Sequence, residues 1–299
     1  MSETLDSDAQ ENATDKVAPT ASRESSGLSI AIVSYHSPLS ELQLLLDSLL
    51  EAIARLREVF SLTDITIYLI DNSPEGELQL DEFAAVYAKA DQEEVAIVLL
   101  QGHGNVGYGA AHNLAINRTE CTYHLILNPD VILDRECLHA GLAYMQSHPE
   151  VAMASPFATT PNGAKQYLCK RYPSVLVFLL RALPSSLARL LFGAYLDRFE
   201  MRELSESQAT SNIPIISGCF MLCQTEAIKK QHGFNENYFL YFEDFDLSLR
   251  VGKTSQLAYV PTMKISHGGG NSFRKGLRHI RLFMRSGWRF FNTHGWRIW

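Results

Sequence analysis

Acidic residues disappear from this sequence after Asp246, and the 53 residues that follow carry ten Lys or Arg. Cysteine is sparse: the five residues Cys121, Cys137, Cys169, Cys219 and Cys223 form an odd set with no Cys-x-x-Cys pair. That excludes a disulfide framework and a structural zinc site of the usual spacing, and it favours a reducing, cytoplasmic setting. Long apolar runs are also missing. The nearest, Val175 to Leu180, is cut off by Arg181 and then Pro184, well short of the roughly 18 apolar residues of a membrane-spanning helix. Residues 1–27 lack the basic start and apolar run of a secretory signal; polar and acid-rich, they are expected to form a disordered tail.

What remains is enough for a core. Of 299 residues 46% are hydrophobic, which suits one large domain or two small ones. The net charge of −7 divides into −17 up to Asp246 and +10 beyond it. A basic end on an acidic body calls for an anionic partner, either a phosphate-bearing ligand or an acidic membrane surface; the acidic body argues against nucleic acid.

From Leu28 the pattern alternates strand with helix. LSIAIVSY reads as a buried strand, and the leucine-rich segment after it as a helix with Ser37 as N-cap and Pro38 at the first helical position. ITIYLIDN, a helix around Asp81 to Ala90, VAIVLLQ, the helix GYGAAHNLAINR and the strand YHLILNPD come next. Such alternation predicts a doubly wound, mostly parallel α/β sheet, whose ligands bind beyond the carboxyl ends of the strands. Those ends are Ser34-Tyr35, Asp71-Asn72-Ser73, Gly102 to Gly107 and Asn128-Pro129-Asp130. Residues 156–213 lose the alternation; their apolar stretch is either a packed helical hairpin or a membrane-dipping element.

Several elements carry candidate chemistry, each with a plainer reading beside it. Gly102-His-Gly104-Asn-Val-Gly107 has the form of a dinucleotide fingerprint, or is a glycine-rich turn without ligand. Asp130 suits a hard divalent cation, although Asn-Pro-Asp is also a good turn. Asp71-Asn72-Ser73 either meets polar parts of a nucleotide or caps the next segment. Glu243 and Asp244 lie between aromatics and a helix, where partial burial and like charge would raise a carboxyl pKa toward that of a general base; Asp246 reads as the helix cap. His267, followed by three glycines, is either a metal or phosphate contact or structural.

In this order the segments IAIVSYH, IDNS, GNVGYGAAHN, LNPDV, SGCFMLC, FLYFEDFDLSLR and HGGGNSF resemble the inverting nucleotide-sugar glycosyltransferases of family 2, and especially bacterial rhamnosyltransferases, over about residues 28 to 290. The resemblance implies a GT-A fold over 28–272, with a nucleotide-sugar half (about 28–133), an acceptor half (about 134–272) and a basic aromatic helix over 273–299 that either packs on the domain or lies on a membrane. It implies that Ser34, Tyr35 and Asp71 surround the base and ribose, and that Asn105, Gly107 and Asn113 line the nucleotide-sugar. Asn128 stands at the first position of the family's Asp-x-Asp, beside the nucleotide-sugar, so Asp130 alone supplies a carboxylate to Mg²⁺ or Mn²⁺. His267 matches a late histidine that completes the metal shell in some relatives. Asp244 matches the catalytic base, with Glu243 beside it. The implied donor is dTDP-rhamnose and the implied acceptor a saccharide, lipid-linked through a polyprenyl diphosphate, at the inner face of the cell membrane. A nicotinamide oxidoreductase built on residues 102–107 and a non-catalytic binding module of the same fold are the alternatives.

Overall fold

The computed structural model describes residues 27–60, 64–182, 185–268 and 276–299. Most of the expected N-terminal tail, the glycine-rich segment after Gly268 and the start of the 273–299 element lie outside the described residues. In chain order the elements are β1 (Leu28–Ser34), α1 (Leu39–Arg57), β2 (Ile65–Asp71), α2 (Ala84–Gln92), β3 (Val95–Leu100), α3 (Tyr108–Ile116), β4 (Tyr123–Leu127), β5 (Val131–Leu133), α4 (Cys137–Ser147) and β6 (Val151–Thr159). The short strands β7 (Lys165–Gln166) and β8 (Cys169–Lys170), then α5 (Val175–Ala182) and α6 (Ser185–Phe199), precede β9 (Thr210–Ser211), β10 (Ile215–Ile216) and β11 (Phe220–Gln224). The chain ends with α7 (Thr225–Lys230), α8 (Glu243–Val251), β12 (Gln256–His267) and α9 (Gly276–His294).

One large sheet runs in the order β3-β2-β1-β4-β11-β6-β12-β5. Its first four strands are all parallel, because each pair is joined through a helix. β11 enters antiparallel to β4, and β5 antiparallel to β12. Two register relations position the polar strand ends. Phe220 pairs with Leu127, so the start of β11 meets the carboxyl end of β4, and His267 pairs with Val131, so the end of β12 meets Asp130.

Alternation along β1 shows how the sheet is covered. Leu28, Ile30 and Ile32 face the fully buried leucines of α1, whereas Ala31 and Val33 face Ala111 and Ala115 of α3. Leu42, Leu45, Leu46, Leu49, Ile53 and Leu56 follow the helical period, and burying each contributes about 1.5–3 kcal/mol. Small residues on the other face let α3 approach closely.

Two expected helix starts are corrected. Pro38 is itself the cap, in an extended conformation (φ −57°, ψ 132°), and Ser37 makes no capping bond. α8 begins at Glu243, three residues before the expected cap Asp246, which instead lies inside the helix and pairs with Arg250. Residues 175–199 do form two packed helices, with a kink at Phe192. α9 packs through Phe290 and Phe291 on Tyr238 and Phe242. Among the described residues no helix is long and apolar enough to cross a membrane.

Candidate active site

The ends of β1 and β2 and the loop after β3 are polar, and most of their polar atoms are committed to holding the chain. Asp71 is fully buried and accepts backbone N–H groups from Ser73, Glu77 and Leu78. Burial pushes its carboxyl up, but these donors outweigh it and hold the group below the ordinary aspartate value. Asn72, also buried, accepts from Val106 N–H (3.0 Å) and donates to Asn105 Oδ1 (3.2 Å) and the Gly107 carbonyl (3.4 Å). Asn105 Oδ1 in turn accepts from Gly107 N–H (3.1 Å). Ser34 is buried where its carbonyl receives Asn72 N–H (2.8 Å), while the Tyr35 side chain is open to solvent at the rim.

This arrangement explains Gly107. Its φ is +93°, and a Cβ there would lie 2.4 Å from the Phe239 carbonyl oxygen, which receives Tyr108 N–H at 3.0 Å. Only glycine fits a left-handed position with a backbone at that distance. The N–H groups of Val106, Gly107 and Tyr108 are thus all bonded within the chain, so they are not the donors with which a dinucleotide fingerprint cradles a pyrophosphate. The end of the glycine-rich loop is thereby tied to the Phe239 backbone. Gly107, expected beside the nucleotide-sugar, is held at this position by its backbone geometry. Asn113, the other residue expected beside the nucleotide-sugar, is buried and bonded at both ends, to the Phe234 backbone and to Glu236 Oε1, which fixes the 234–236 segment.

The middle of the site is built around Tyr108. Its Oη donates to the Gly218 carbonyl (2.6 Å) and lies 3.0 Å from Asn128 Oδ1. Asn128 N–H donates to the Cys219 carbonyl (2.9 Å), and Gly218 N–H donates to Asp244 Oδ2 (2.9 Å). Burial, with nearby Cys219, Glu243, Asp244 and Asp130, holds the Tyr108 hydroxyl well above its ordinary pKa, so it remains a donor. Asn128 and Asp244 are therefore linked through one tyrosine and one glycine. Neither Tyr108 nor Gly218 stands out in the sequence as a site residue; an aromatic right after the last glycine of the turn, and a glycine opening the SGCFMLC strand, are the available signals.

Asp130 and His267 meet as the β5–β12 register requires, Oδ1 to Nε2 at 3.4 Å. Gln166 donates from Nε2 to the His267 carbonyl (2.9 Å), and this orientation presents its Oε1 to His267 Nδ1 at 2.8 Å. With Nδ1 donating to Gln166, Nε2 is the nitrogen that faces the carboxylate. A nitrogen lone pair and a carboxylate oxygen aimed at one region, with the histidine steadied from behind, fit a divalent cation. Among the described residues no group of three His, Cys, Asp or Glu side chains is placed to hold a metal, so the remaining ligands would come from phosphate and water. Gln166 has no sequence signature, since it sits on a two-residue strand.

Around the 238–244 turn the pattern reverses. Tyr241 and Phe242 both have positive φ (71° and 67°), a conformation that costs about 1–3 kcal/mol for each non-glycine residue and persists only where packing imposes it. Here α9 imposes it: Phe290 packs on the Phe242 ring at 5.2 Å, Ser286 Oγ donates to the Leu240 carbonyl (2.8 Å), and Tyr241 Oη meets His279 Nδ1 (3.0 Å). The turn delivers Glu243 and Asp244 to the first turn of α8. Asp244 accepts from Gly218 and Phe245 N–H groups, yet burial still raises its pKa. Glu243 is buried, its Oε2 meets no hydrogen-bond partner among the described residues, and burial together with Asp244 raises its pKa well above the ordinary value. Such an environment suits a carboxyl that takes up a proton near neutral pH. Asp246, by contrast, is stabilised as an anion: burial pushes it up, but His294 (2.8 Å) and Arg250 (2.7 Å) hold it below the ordinary value.

A parallel sheet whose carboxyl edge carries an Asn-x-Asp opposite a histidine, with a buried Glu-Asp pair across it, is an α/β protein of GT-A type. The chain belongs to glycosyl transferase family 2, whose family description matches residues 29–231. It is similar to "N-acetylglucosaminyl-diphospho-decaprenol L-rhamnosyltransferase" of Mycobacterium tuberculosis, 29% identical over 190 residues, which is 58% of this chain and 59% of that protein. It is also similar to "Rhamnosyltransferase WbbL" of Escherichia coli K12, 23% identical over 175 residues, 55% of this chain and 61% of that protein. The chain thus matches about three fifths of the length of these relatives. Among solved structures the fold is similar to Staphylococcus aureus TarS 1-349 (TM-score 0.52, 14% identity, 89% of this chain and 72% of that one). It is likewise similar to GalNAc-T7 crystallised with UDP, GalNAc and Mn²⁺ (TM-score 0.57, 15% identity, 82% of this chain and 44% of that one).

Proposed function

We propose that the protein is an inverting glycosyltransferase that moves L-rhamnose from dTDP-rhamnose to a saccharide carried on a polyprenyl diphosphate, working at the cytoplasmic face of a membrane. The observation that carries the reading is the hydrogen-bonded path Asn128–Tyr108–Gly218–Asp244, which sets a buried carboxylate across the strand ends from Asp130 and His267. The rhamnosyltransferase relatives support the sugar, and the decaprenol-linked substrate in the name of the mycobacterial relative supports the acceptor class.

In this reaction Asp244 takes the proton of an acceptor hydroxyl as its oxygen forms a bond to the anomeric carbon. The bond from that carbon to the diphosphate oxygen breaks on the opposite face, its electron pair leaves with the nucleoside diphosphate, and configuration inverts. Gly218 N–H steadies Asp244, and the raised pKa makes it a stronger base than an exposed aspartate. Asp130 and His267 would hold Mg²⁺ or Mn²⁺, which would offset charge on the departing diphosphate. One base is sufficient because the leaving group is already an anion of low basicity, unlike the alkoxide expelled in glycoside hydrolysis. Ser34 and Tyr35 border the space assigned to the base and ribose.

The experiment is an Asp244→Asn enzyme, assayed for release of nucleoside diphosphate and, separately, for donor binding. Turnover is expected to fall by about 10²–10⁴-fold with donor affinity retained. Full turnover would overturn the assignment of the base.

A further inference from the structure

The inner face of α9 holds the 238–244 turn, yet its outer face is apolar and basic, and nothing among the described residues covers it. Leu277, Ile280, Met284 and Trp288 recur at helical spacing and are each between 61 and 85% exposed. Rotated by about 100° along the same helix run Arg278, Arg281, Arg285 and Arg289, none of which makes an ion pair among the described residues. Three of these arginines line an open groove of about 390 Å³. Beyond the helix Trp299 is also exposed, as is Leu179 of α5, the helix tied to the C-terminus through Val175 N–H to the Arg297 carbonyl (2.8 Å).

An apolar stripe flanked by a cationic stripe is the pattern of a helix lying in a membrane interface, with apolar side chains among the acyl chains and guanidinium groups at the phosphates. We propose that the outer face of α9 docks on an anionic lipid bilayer, oriented so that the packed stripe of the same helix keeps the 238–244 turn in place above the surface. This rests on the lipid-linked acceptor proposed above and adds the surface and orientation that bring the enzyme to it. Charge decides the occupant. A second copy seated face to face would bring two arginine rows together, whereas a bilayer of anionic lipid neutralises the row. Each arginine at such a surface strengthens partitioning by about fivefold at low salt.

The test is co-sedimentation of the full chain with phosphatidylglycerol–phosphatidylcholine vesicles and with pure phosphatidylcholine vesicles, without donor or acceptor, so that its outcome is independent of whether the sugar-transfer reading holds. Wild type is expected to bind the anionic vesicles, and to release them in high salt. Ile280→Glu with Met284→Glu is expected to weaken binding at least about tenfold, and Arg281→Glu with Arg285→Glu to remove the preference for anionic lipid. These side chains are exposed, and an unchanged thermal melt confirms that each variant folds. Three results would overturn the proposal: equal binding to both vesicle types, undiminished binding by the Ile280→Glu, Met284→Glu variant, or a dimer in solution that this double substitution dissolves.

Discussion

The two halves of the site treat buried polar groups in opposite ways. On the nucleotide side Asp71, Asn72 and Asn113 have their hydrogen-bonding capacity taken up by neighbouring chain, so burial there produces rigid loops. On the acceptor side Glu243 is buried with an oxygen lacking a partner among the described residues, Asp244 sits beside it, and two residues of left-handed backbone precede them. Satisfied polar groups rigidify, while unsatisfied ones are costly unless a function retains them. The contrast teaches that polar groups at the ends of β1 and β2 hold the chain in place, whereas the 241–244 segment keeps carboxyls in an environment that raises their proton affinity.

The comparison is broken most forcefully at its reactive end. If reactivity is stored in the acceptor half, Asp244→Asn removes about 10²–10⁴-fold of turnover, equivalent to about 3–5 kcal/mol of barrier, without changing donor affinity. On the scaffold side Gly107→Ala forces a Cβ to 2.4 Å from the Phe239 carbonyl at a φ of +93°. Loss of about 2–4 kcal/mol of folding stability is expected, read by chemical denaturation, with the residual folded enzyme keeping its kcat. A Gly107→Ala protein of normal stability but depressed kcat would show that the turn takes part in chemistry and would erase the distinction.

Much of this is legible in the sequence, because the nucleotide half is local. Apolar runs with polar endings mark the strands, and each ending falls where parallel β-α units place ligands. The Glu243-Asp244 pair stands out as adjacent carboxylates among aromatics. What is hidden depends on contacts between distant segments. Nothing near Tyr108 indicates that its hydroxyl reaches Gly218, 110 positions away, and nothing near His267 indicates that Gln166 fixes its tautomer across 101 positions. Asp246 has the residue type of a cap, whereas a strained turn imposed by α9 starts the helix earlier. The basic C-terminal segment shows its composition but not its division into an inner stripe and an outer one, since that division depends on what packs against it.

That inner stripe offers the next test. His294 reaches from α9 to Asp246 on the helix that begins with Glu243 and Asp244. His294→Ala leaves Asp246 buried with Arg250 alone, and a loss of about 1.5–3 kcal/mol of stability is expected. If α9 positions the reactive turn, kcat at saturating acceptor also falls, and His294→Gln restores part of both because its amide can still donate. Loss of stability without loss of kcat would confine α9 to a packing role and weaken the view that strain in the turn serves reactivity.

The smallest expected effect sharpens the contrast through pH. Glu243 has its folded-state pKa raised above its unfolded value by burial and by Asp244. Its contribution to stability is therefore fully present below the unfolded glutamate pKa and declines as pH rises toward the raised folded value, because the unfolded chain ionises first. Asp71 and Asp246 have lowered values, so their contributions run the other way and are lost as pH falls through their folded pKa. Comparing Glu243→Gln with wild type cancels the second set. The variant is expected to gain stability relative to wild type as pH rises above the ordinary glutamate range, by about 1.4 kcal/mol for each tenfold difference in proton affinity between folded and unfolded states. Denaturation midpoints across acid and neutral pH measure this directly. A stability difference that stays constant with pH would mean that Glu243 ionises in the folded protein as it does in the unfolded one, and the acceptor half would then hold no more stored electrostatic cost than the nucleotide half.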